Sequence, residues 1–512
     1  MDGIELELFH RRLSSVAEEM GEVLRRGAFS PNIKERLDHS CALFDADGDM
    51  VAQAAHIPVH LGAAPLCAKA VLDRMSLSDG QTAIVNDPFA GGTHLPDITI
   101  VTAVDLGDCR MYVASRAHHA DVGGISPGSL PLSRTIDEEG WCCEPTLLTD
   151  DVVRSLCEAS RTPHERRGDL AAQRAANRRG KQRLEELATE FGAEKIREAS
   201  EALQSYTETL VGEYLGSLPV GTWSAEQFLE GTLDSEEPVG LRLDLSINAS
   251  RELHFDFTKS DDQAPGPTNA VRAIVESAVF YVLLCLCEDR VPANSGVMRH
   301  VTITTRRGSV VDAKKPAAVA AGNVETSQRI VDLLMEAFVE VVGERMPALA
   351  CGSMNNVLIG SRDGGAPDRA FVYYETLAGG YGASSERDGA SATHAHMTNT
   401  RNTPIEAFEH AYPARIVRYS LREGSGGSGS HRGGDGLIRA YEFLVPSTVT
   451  VLAERRVHGP SGRAGGGAGM PGVHRLIRKG EEPYDLGGKT TVSVSPGDRL
   501  IVETPGGGGW GG

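Results

Sequence analysis

Glycine is concentrated near the end of this chain in a way that limits how it can fold. Of 58 glycines, seven lie in residues 424–436, seven in 459–472 and six in 506–512. Such runs are either flexible linkers or loops whose backbone must approach something closely. Arg, His and Trp punctuate these runs, and apolar, strand-like segments lie between them. Ordered loops are therefore expected, joining the strands of a β-rich C-terminal part.

Upstream the pattern changes several times. Ile4, Leu8, Leu13, Val16, Met20, Val23 and Leu24 recur at near-helical spacing and predict an amphipathic helix over 4–26. Short apolar runs at 41–44, 82–85, 98–104 and 111–115 read as strands. Thr162-Pro163-His164-Glu165 has the form of a capping box with proline at the first helical position. The Ala-, Leu-, Glu- and Arg-rich stretch to about residue 215 should follow as two or three helices, with Gly180 and Gly192 as possible breaks. Strands are expected at 241–247, 253–257, 301–305 and 370–374, and helices at 270–287 and 327–342. No steady βαβ rhythm runs through this mixture. The expected class is an irregular α+β fold in four parts: an N-terminal metal-binding region (1–160), a helical hairpin (161–218), a central mixed region (219–414) and the β-rich C-terminal region (415–512).

Composition removes several functions. Lys plus Arg is 51 and Asp plus Glu is 70, a net charge of −19 over 512 residues, so no global positive field exists to hold nucleic acid. The longest apolar run, 278–287, is about half the ~20 residues of a membrane-spanning helix. The acidic, amphipathic start does not resemble a signal peptide. Nine scattered cysteines without CxxC spacing fit reduced thiols, and a cytoplasmic location is expected.

The densest group of potential ligands runs from Asn86 to Asp121. Asn86-Asp87-Pro88-Phe89-Ala90-Gly91-Gly92-Thr93-His94-Leu95-Pro96-Asp97 precedes one strand, and Arg116-Ala117-His118-His119-Ala120-Asp121 ends the next. If these strands pair about the turn at 105–109, Asp97 and the histidine pair meet at one end of the hairpin. Side chains alternate along a strand, so only one of His118 and His119 should face Asp97. Imidazole with carboxylate and no thiolate suits Zn²⁺, Mn²⁺ or Fe²⁺ with positions left open. Asp87, His56 and His60 are further candidates better read as structural, and Glu35 or Asp38 could add a carboxylate. His394 and His396, two apart in a polar stretch, are weaker metal candidates. Arg116 could stabilise an oxyanion, and Asp121 is a second catalytic candidate. Two nucleotide signatures fail. Gly424-Ser425-Gly426-Gly427-Ser428-Gly429 is not followed by a helix pattern, and Pro483 stands where the first glycine of a phosphate loop ending in Gly488-Lys489-Thr490 belongs.

These segments, together with Ser30-Pro31-Asn32-Ile33-Lys34-Glu35-Arg36, Gly322-Asn323-Val324-Glu325-Thr326-Ser327-Gln328, Met397-Thr398-Asn399-Thr400-Arg401 and the closing Thr504-Pro505-Gly506-Gly507-Gly508-Gly509-Trp510, resemble the hydantoinase B/5-oxoprolinase family along nearly the whole chain. The resemblance implies a B-type subunit working in a hetero-oligomer with a hydantoinase A-type subunit that carries the ATP site. It implies ATP-dependent opening of a cyclic amide such as a hydantoin or 5-oxoproline. The alternative is ATP-dependent carboxylation of a ketone at the same metal site. It also implies the ligand set His94, Asp97 and His119, with Glu35 as a possible fourth ligand. Gly140-Trp141-Cys142-Cys143-Glu144 departs from the family's usual apolar, proline-containing continuation.

Overall fold

A helix whose apolar residues return every three or four positions must lay one face on something. Here α1 (Gly3–Gly27) buries Phe9, Leu13, Val16, Met20 and Leu24, and is capped by the Asp2 carboxylate, which accepts from the Ile4 and Glu5 N–H groups. The computed structural model describes residues 1–54, 57–287, 291–361 and 370–512. Within them, α1 packs on α5 (Pro163–Phe191) and on the first of four sheets.

That sheet is antiparallel, in the order β2-β1-β5-β4-β3-β6. Its strands are β1 (His39–Phe44), β2 (Met50–Gln53), β3 (Thr82–Val85), β4 (Asp97–Asp105), β5 (Arg110–His118) and β6 (Thr146–Leu147). Both faces are covered. Cys41, Leu43, Met111, Val113 and Ala117 turn towards α1 and α5, whereas Ala42, Phe44, Tyr112 and Ala114 turn into the main core. This two-sided burial explains why β4 and β5 read as continuous apolar runs rather than as alternating ones.

The helical hairpin consists of α5 and α6 (Ala193–Gly216). The chain turns at Gly192, whose φ of +88° suits glycine, and not at Gly180, which lies inside α5 and leaves room for the Met20 side chain. Thr162 stands at the N-cap of α5, but its side chain makes no capping hydrogen bond. The remaining helices are α2 (Pro31–Lys34), α3 (Ala63–Leu72), α4 (Asp150–Ala159), α7 (Arg272–Leu286), α8 (Ser327–Val342) and α9 (Ile405–Ala411).

The second sheet runs β10-β9-β8-β7, from β7 (Gly221–Leu229), β8 (Val239–Ile247), β9 (Leu253–Asp256) and β10 (Val301–Thr304), with β9 and β10 parallel. It packs on α8, which a π-helical turn at Gly322–Thr326 introduces. β7 carries its polar residues on an exposed face and escapes detection by apolar pattern alone.

The other two sheets use β11 (Asn356–Ser361), β12 (Val372–Glu375), β13 (Ala414–Arg422), β14 (Gly436–Phe443), β15 (Ser447–Leu452), β16 (Val473–Ile477), β17 (Tyr484–Asp485), β18 (Lys489–Val494) and β19 (Arg499–Glu503). Their orders are β12-β11-β15-β18 and β13-β14-β19-β16-β17. The third sheet therefore crosses the expected division at residue 415. Between these two sheets lies a core containing Val357, Tyr373, Val449, Tyr441, Leu476 and Leu500. Lys489 opens a strand, where a phosphate-loop lysine would require a helix.

The glycine runs are ordered and pack on one another. Gly427 N donates to Gly507 O at 2.9 Å, Gly507 N to Gly434 O at 2.9 Å and Gly509 N to Gly467 O at 2.9 Å. At Gly380, Gly433, Gly466 and Gly507 a Cβ would overlap a backbone atom of another segment. Main chains this close leave no space for side chains, so Gly507→Ala should lower stability by about 3 kcal/mol or prevent folding. Gly216→Ala, where a Cβ meets nothing within 4 Å, should stay within about 1 kcal/mol of the parent. Denaturant unfolding of the two variants checks both values.

Candidate metal centre

The hairpin register sets up the site. Asp97 pairs directly with His118, Thr99 with Arg116 and Asp105 with Arg110, so each pair shares a face of the sheet. His94 lies on the turn three residues before Asp97 and swings its ring back to it. His94 Nε2 is 3.1 Å and His118 Nδ1 3.2 Å from Asp97 Oδ1. On the other carboxylate oxygen, His60 Nε2 is 3.3 Å from Oδ2 and the Thr93 hydroxyl donates to it at 2.8 Å. All of these groups are buried. A cavity of about 20 Å³ touches Asp97, His118, His60, Asp38, Asn323 and Tyr374, space for one ion or water.

Neighbouring groups fix each donor. Ala320 O lies 3.2 Å from His94 Nδ1 and accepts its proton, which leaves Nε2 as the lone-pair nitrogen turned towards Asp97. The Ala320 turn is held in its turn by Glu139 Oε1, which accepts from Val319 N at 2.7 Å, Ala320 N at 2.9 Å and the Ser133 hydroxyl at 2.8 Å. The His118 ring stacks on Tyr374 with centroids 4.7 Å apart, and the Arg36 guanidinium lies 4.8 Å from the Tyr374 ring centroid. Burial pushes the Asp97 carboxyl up, but the charges of His94 and His60 and hydrogen bonds from His118 and His60 outweigh it and hold the group well below the usual range. Burial lowers His60 and His118 despite the same carboxylate. A carboxylate that stays ionised beside the buried His60 and His118 rings is ready to bind a cation.

His94 Nε2, an Asp97 oxygen and a His118 nitrogen lie within 4.8 Å of one another. His118 Nε2 and Asn323 Oδ1 are buried without a hydrogen-bond partner among the described residues. This donor set, two imidazoles and a carboxylate beside a one-ion cavity, fits a divalent transition metal.

The other sequence candidates are placed as follows. His119 is on the opposite face of the sheet, with Nε2 2.9 Å from Gln173 Oε1 of α5, and burial with the Arg166 charge pushes it down to about 4. Strand alternation thus puts His118, not His119, against Asp97. Glu35 sits half-buried at the C-cap of α2 near Arg25, outside the cluster, whereas Asp38 reaches the cavity. Arg116 is buried, donates from Nε to Thr99 Oγ1 at 2.8 Å and has no partner for its Nη atoms among the described residues. The Asp121 carboxylate holds the loop before α5, accepting from Arg161 N at 2.6 Å, Arg161 Nη1 at 3.0 Å and the Ser160 hydroxyl at 3.1 Å. It is therefore committed to structure rather than to the centre.

Asp87 caps a turn through Phe89 N and pairs with Lys315 at 2.6 Å. His394 and His396 do not join the centre, although Met397 and Thr398, which follow directly, line its cavity. His56 lies outside the described residues. Asn323, whose Nδ2 is 3.0 Å from His94 Nε2, and Tyr374 reach the site although ligand spacing does not point to them. The π-helical turn is the structural sign for Asn323, since such turns often mark functional positions.

A family model described as hydantoinase B/oxoprolinase matches residues 2–512. The chain belongs to the hydantoinase B/oxoprolinase family. It is 40% identical to 5-oxoprolinase 1 of Arabidopsis thaliana over 543 aligned residues, covering 100% of this chain and 42% of the plant protein. The chain thus spans about two fifths of that relative's length. Its fold matches the ATP-dependent caprolactamase from Pseudomonas jessenii with a TM-score of 0.91 at 26% identity, covering 100% of this chain and 91% of the other. Nucleotide-free acetone carboxylase aligns at a TM-score of 0.90 and 16% identity, covering 100% of this chain and 76% of that one, a likeness of fold. The α+β class and the family expected from the sequence both stand.

Two predictions follow from this geometry. His118→Ala should reduce divalent metal from about one ion per chain to near none, while His119→Ala retains it, as elemental analysis of the two purified variants would show. The second concerns Glu139, which burial pushes up to about 7 against the hydrogen bonds from Ala320 N, Ser133 and Val319 N. Between its unfolded value and about 7 the folded state binds the extra proton, so this group's contribution to stability falls as pH rises through that window and then levels. Glu139→Gln keeps a neutral side chain at every pH. Relative to the parent it should gain on the order of 1–3 kcal/mol between pH 4.5 and 8, seen in denaturant midpoints.

Proposed function

We propose that this chain is the metal-bearing B-type part of an ATP-dependent cyclic amide hydrolase acting on 5-oxoproline, a hydantoin or a related lactam. The observation that carries the reading is the buried Asp97 with His94 and His118 beside a one-ion cavity, in a chain 40% identical to part of a 5-oxoprolinase. The ATP site belongs to a hydantoinase A-type partner, in keeping with a sequence that lacks a phosphate loop.

An amide carbonyl is a poor electrophile. Transfer of a phosphoryl group from ATP on the partner to the carbonyl oxygen gives ADP and a carbon activated for attack. Water then adds to that carbon, the ring C–N bond breaks as the nitrogen takes a proton, and the acyl phosphate that remains is hydrolysed by a second water to the carboxylate and phosphate. His94, Asp97 and His118 would hold the divalent ion, which when bound supplies polarisation of a carbonyl and activation of water. His60, which burial holds below its usual range, has Nε2 3.3 Å from Asp97 Oδ2 and Nδ1 2.8 Å from the Ser40 hydroxyl, and can relay the proton released by attacking water. Asp38, pushed up by burial, faces the same cavity and can return a proton to the leaving nitrogen. Arg116, the next pair along the same face, has Nη atoms without a hydrogen-bond partner among the described residues and would lend positive charge to a developing oxyanion.

The test combines metal content with turnover of the reconstituted complex. Wild type should carry about one Zn, Mn or Fe per chain and, with its A-type partner, couple ADP formation to lactam opening. The His94→Ala/Asp97→Ala chain should lose both. Metal-free wild type of full activity would overturn the reading. ATP turnover that requires bicarbonate and opens no lactam would replace it with a ketone carboxylase.

A further inference from the structure

A second cavity, of about 840 Å³, opens between the end of β7, the 453–458 turn and the segment leading into β18, and shares no lining residue with the Asp97 cavity. Its size is that of a small-molecule site. Arg329 from α8, Arg455 and Arg456 line it. Arg329 and Arg455 are 1% and 7% exposed.

The carboxylates around these guanidiniums are shared or also hold other groups. Arg329 Nη1 at 3.0 Å and Arg455 Nη2 at 2.7 Å share one carboxylate oxygen, Asp332 Oδ2. Among the described residues the Arg456 guanidinium donates to neutral acceptors, Glu454 O at 2.6 Å, Asn355 Oδ1 at 2.7 Å and His474 Nε2 at 2.9 Å, with the Glu325, Glu230 and Glu454 carboxyls acting on its charge from nearby. The carboxylates nearby are occupied. Glu230 accepts the N–H groups of Arg456, Val457 and His458 and so builds the turn, while Glu454 pairs with Lys489 at 2.7 Å. The Nε atoms of all three arginines are buried without a hydrogen-bond partner among the described residues. Guanidiniums taken out of water with donors left unpaired are costly, and an anion held at the cavity face lowers that cost. The Arg fork is suited to a carboxylate or phosphoryl group.

The rest of the lining narrows the ligand. Glu236 and Asp485 at the rim and a net charge of −19 oppose a polyanion. Phe228, Leu229, Val473 and Leu486 provide an apolar wall. We propose that this cavity binds a small organic anion, its carboxylate or phosphoryl head on the Arg329–Arg455–Arg456 floor and its apolar body against β7 and β16.

Calorimetry and thermal unfolding of the full chain with sodium phosphate, sodium butyrate and sodium chloride at equal ionic strength test this. Phosphate, butyrate or both should bind saturably and raise Tm where chloride does not, and which of them binds tells a phosphoryl from a carboxylate head. Arg455→Gln should weaken that binding about tenfold or more. If Arg455→Gln does not fold, Val457→Trp fills the cavity mouth without removing a buried charge and must weaken binding likewise. The His94→Ala/Asp97→Ala chain must bind the anion as wild type does, and loss of binding there would assign the anion to the metal centre. No binding beyond that of chloride, or unchanged affinity in the floor or mouth variants, would overturn the proposal.

Discussion

A carboxylate removed from water must be surrounded by groups that favour its charge, and the architecture around Asp97 supplies them from widely separated parts of the chain. The hairpin delivers His118 opposite it, the preceding turn delivers His94 and Thr93, and the segment after β2 delivers His60. Asn323 arrives from the π-helical turn and Tyr374 from β12. Moving any of these elements leaves a buried charge uncompensated, a loss that costs more than the pair itself contributes. The first sheet, α8 and the third sheet are thereby tied to one point.

Close main-chain packing holds the far side of this assembly. The glycine runs interleave with one another and with the 379–389 segment through backbone hydrogen bonds, joining loops of the third and fourth sheets. Since β12 pairs with β11, β11 with β15 and β15 with β18, the strand that carries Tyr374 is braced through β11 by the C-terminal part. The C-terminal region thus contributes to the centre by position, without providing a donor to it.

Much of the secondary structure was legible because its patterns were long. The 4–26 period, the 327–342 helix and the β4–β5 hairpin all appear where apolar spacing put them. β7 was not, because its exposed alternation carries few apolar residues. The cap at Thr162 was legible as a motif yet its side chain makes no capping hydrogen bond to the helix backbone, since local signals state what a residue can do and tertiary contacts decide what it does.

By itself the sequence determined the family, the mixed class, the order of the glycine-rich segments and the presence of His94 and Asp97 beside a histidine pair. It also determined that one histidine of that pair would face Asp97, because successive side chains on a strand point to opposite sides. Which one was decided only by register: Asp97 pairs with His118, and α5 presents Gln173 to His119 across the sheet. The same limit applied to Asp38 against Glu35, and to Asn323 and Tyr374. Each is brought to the centre by contacts between segments tens to hundreds of residues apart, and local spacing carries no information about such contacts.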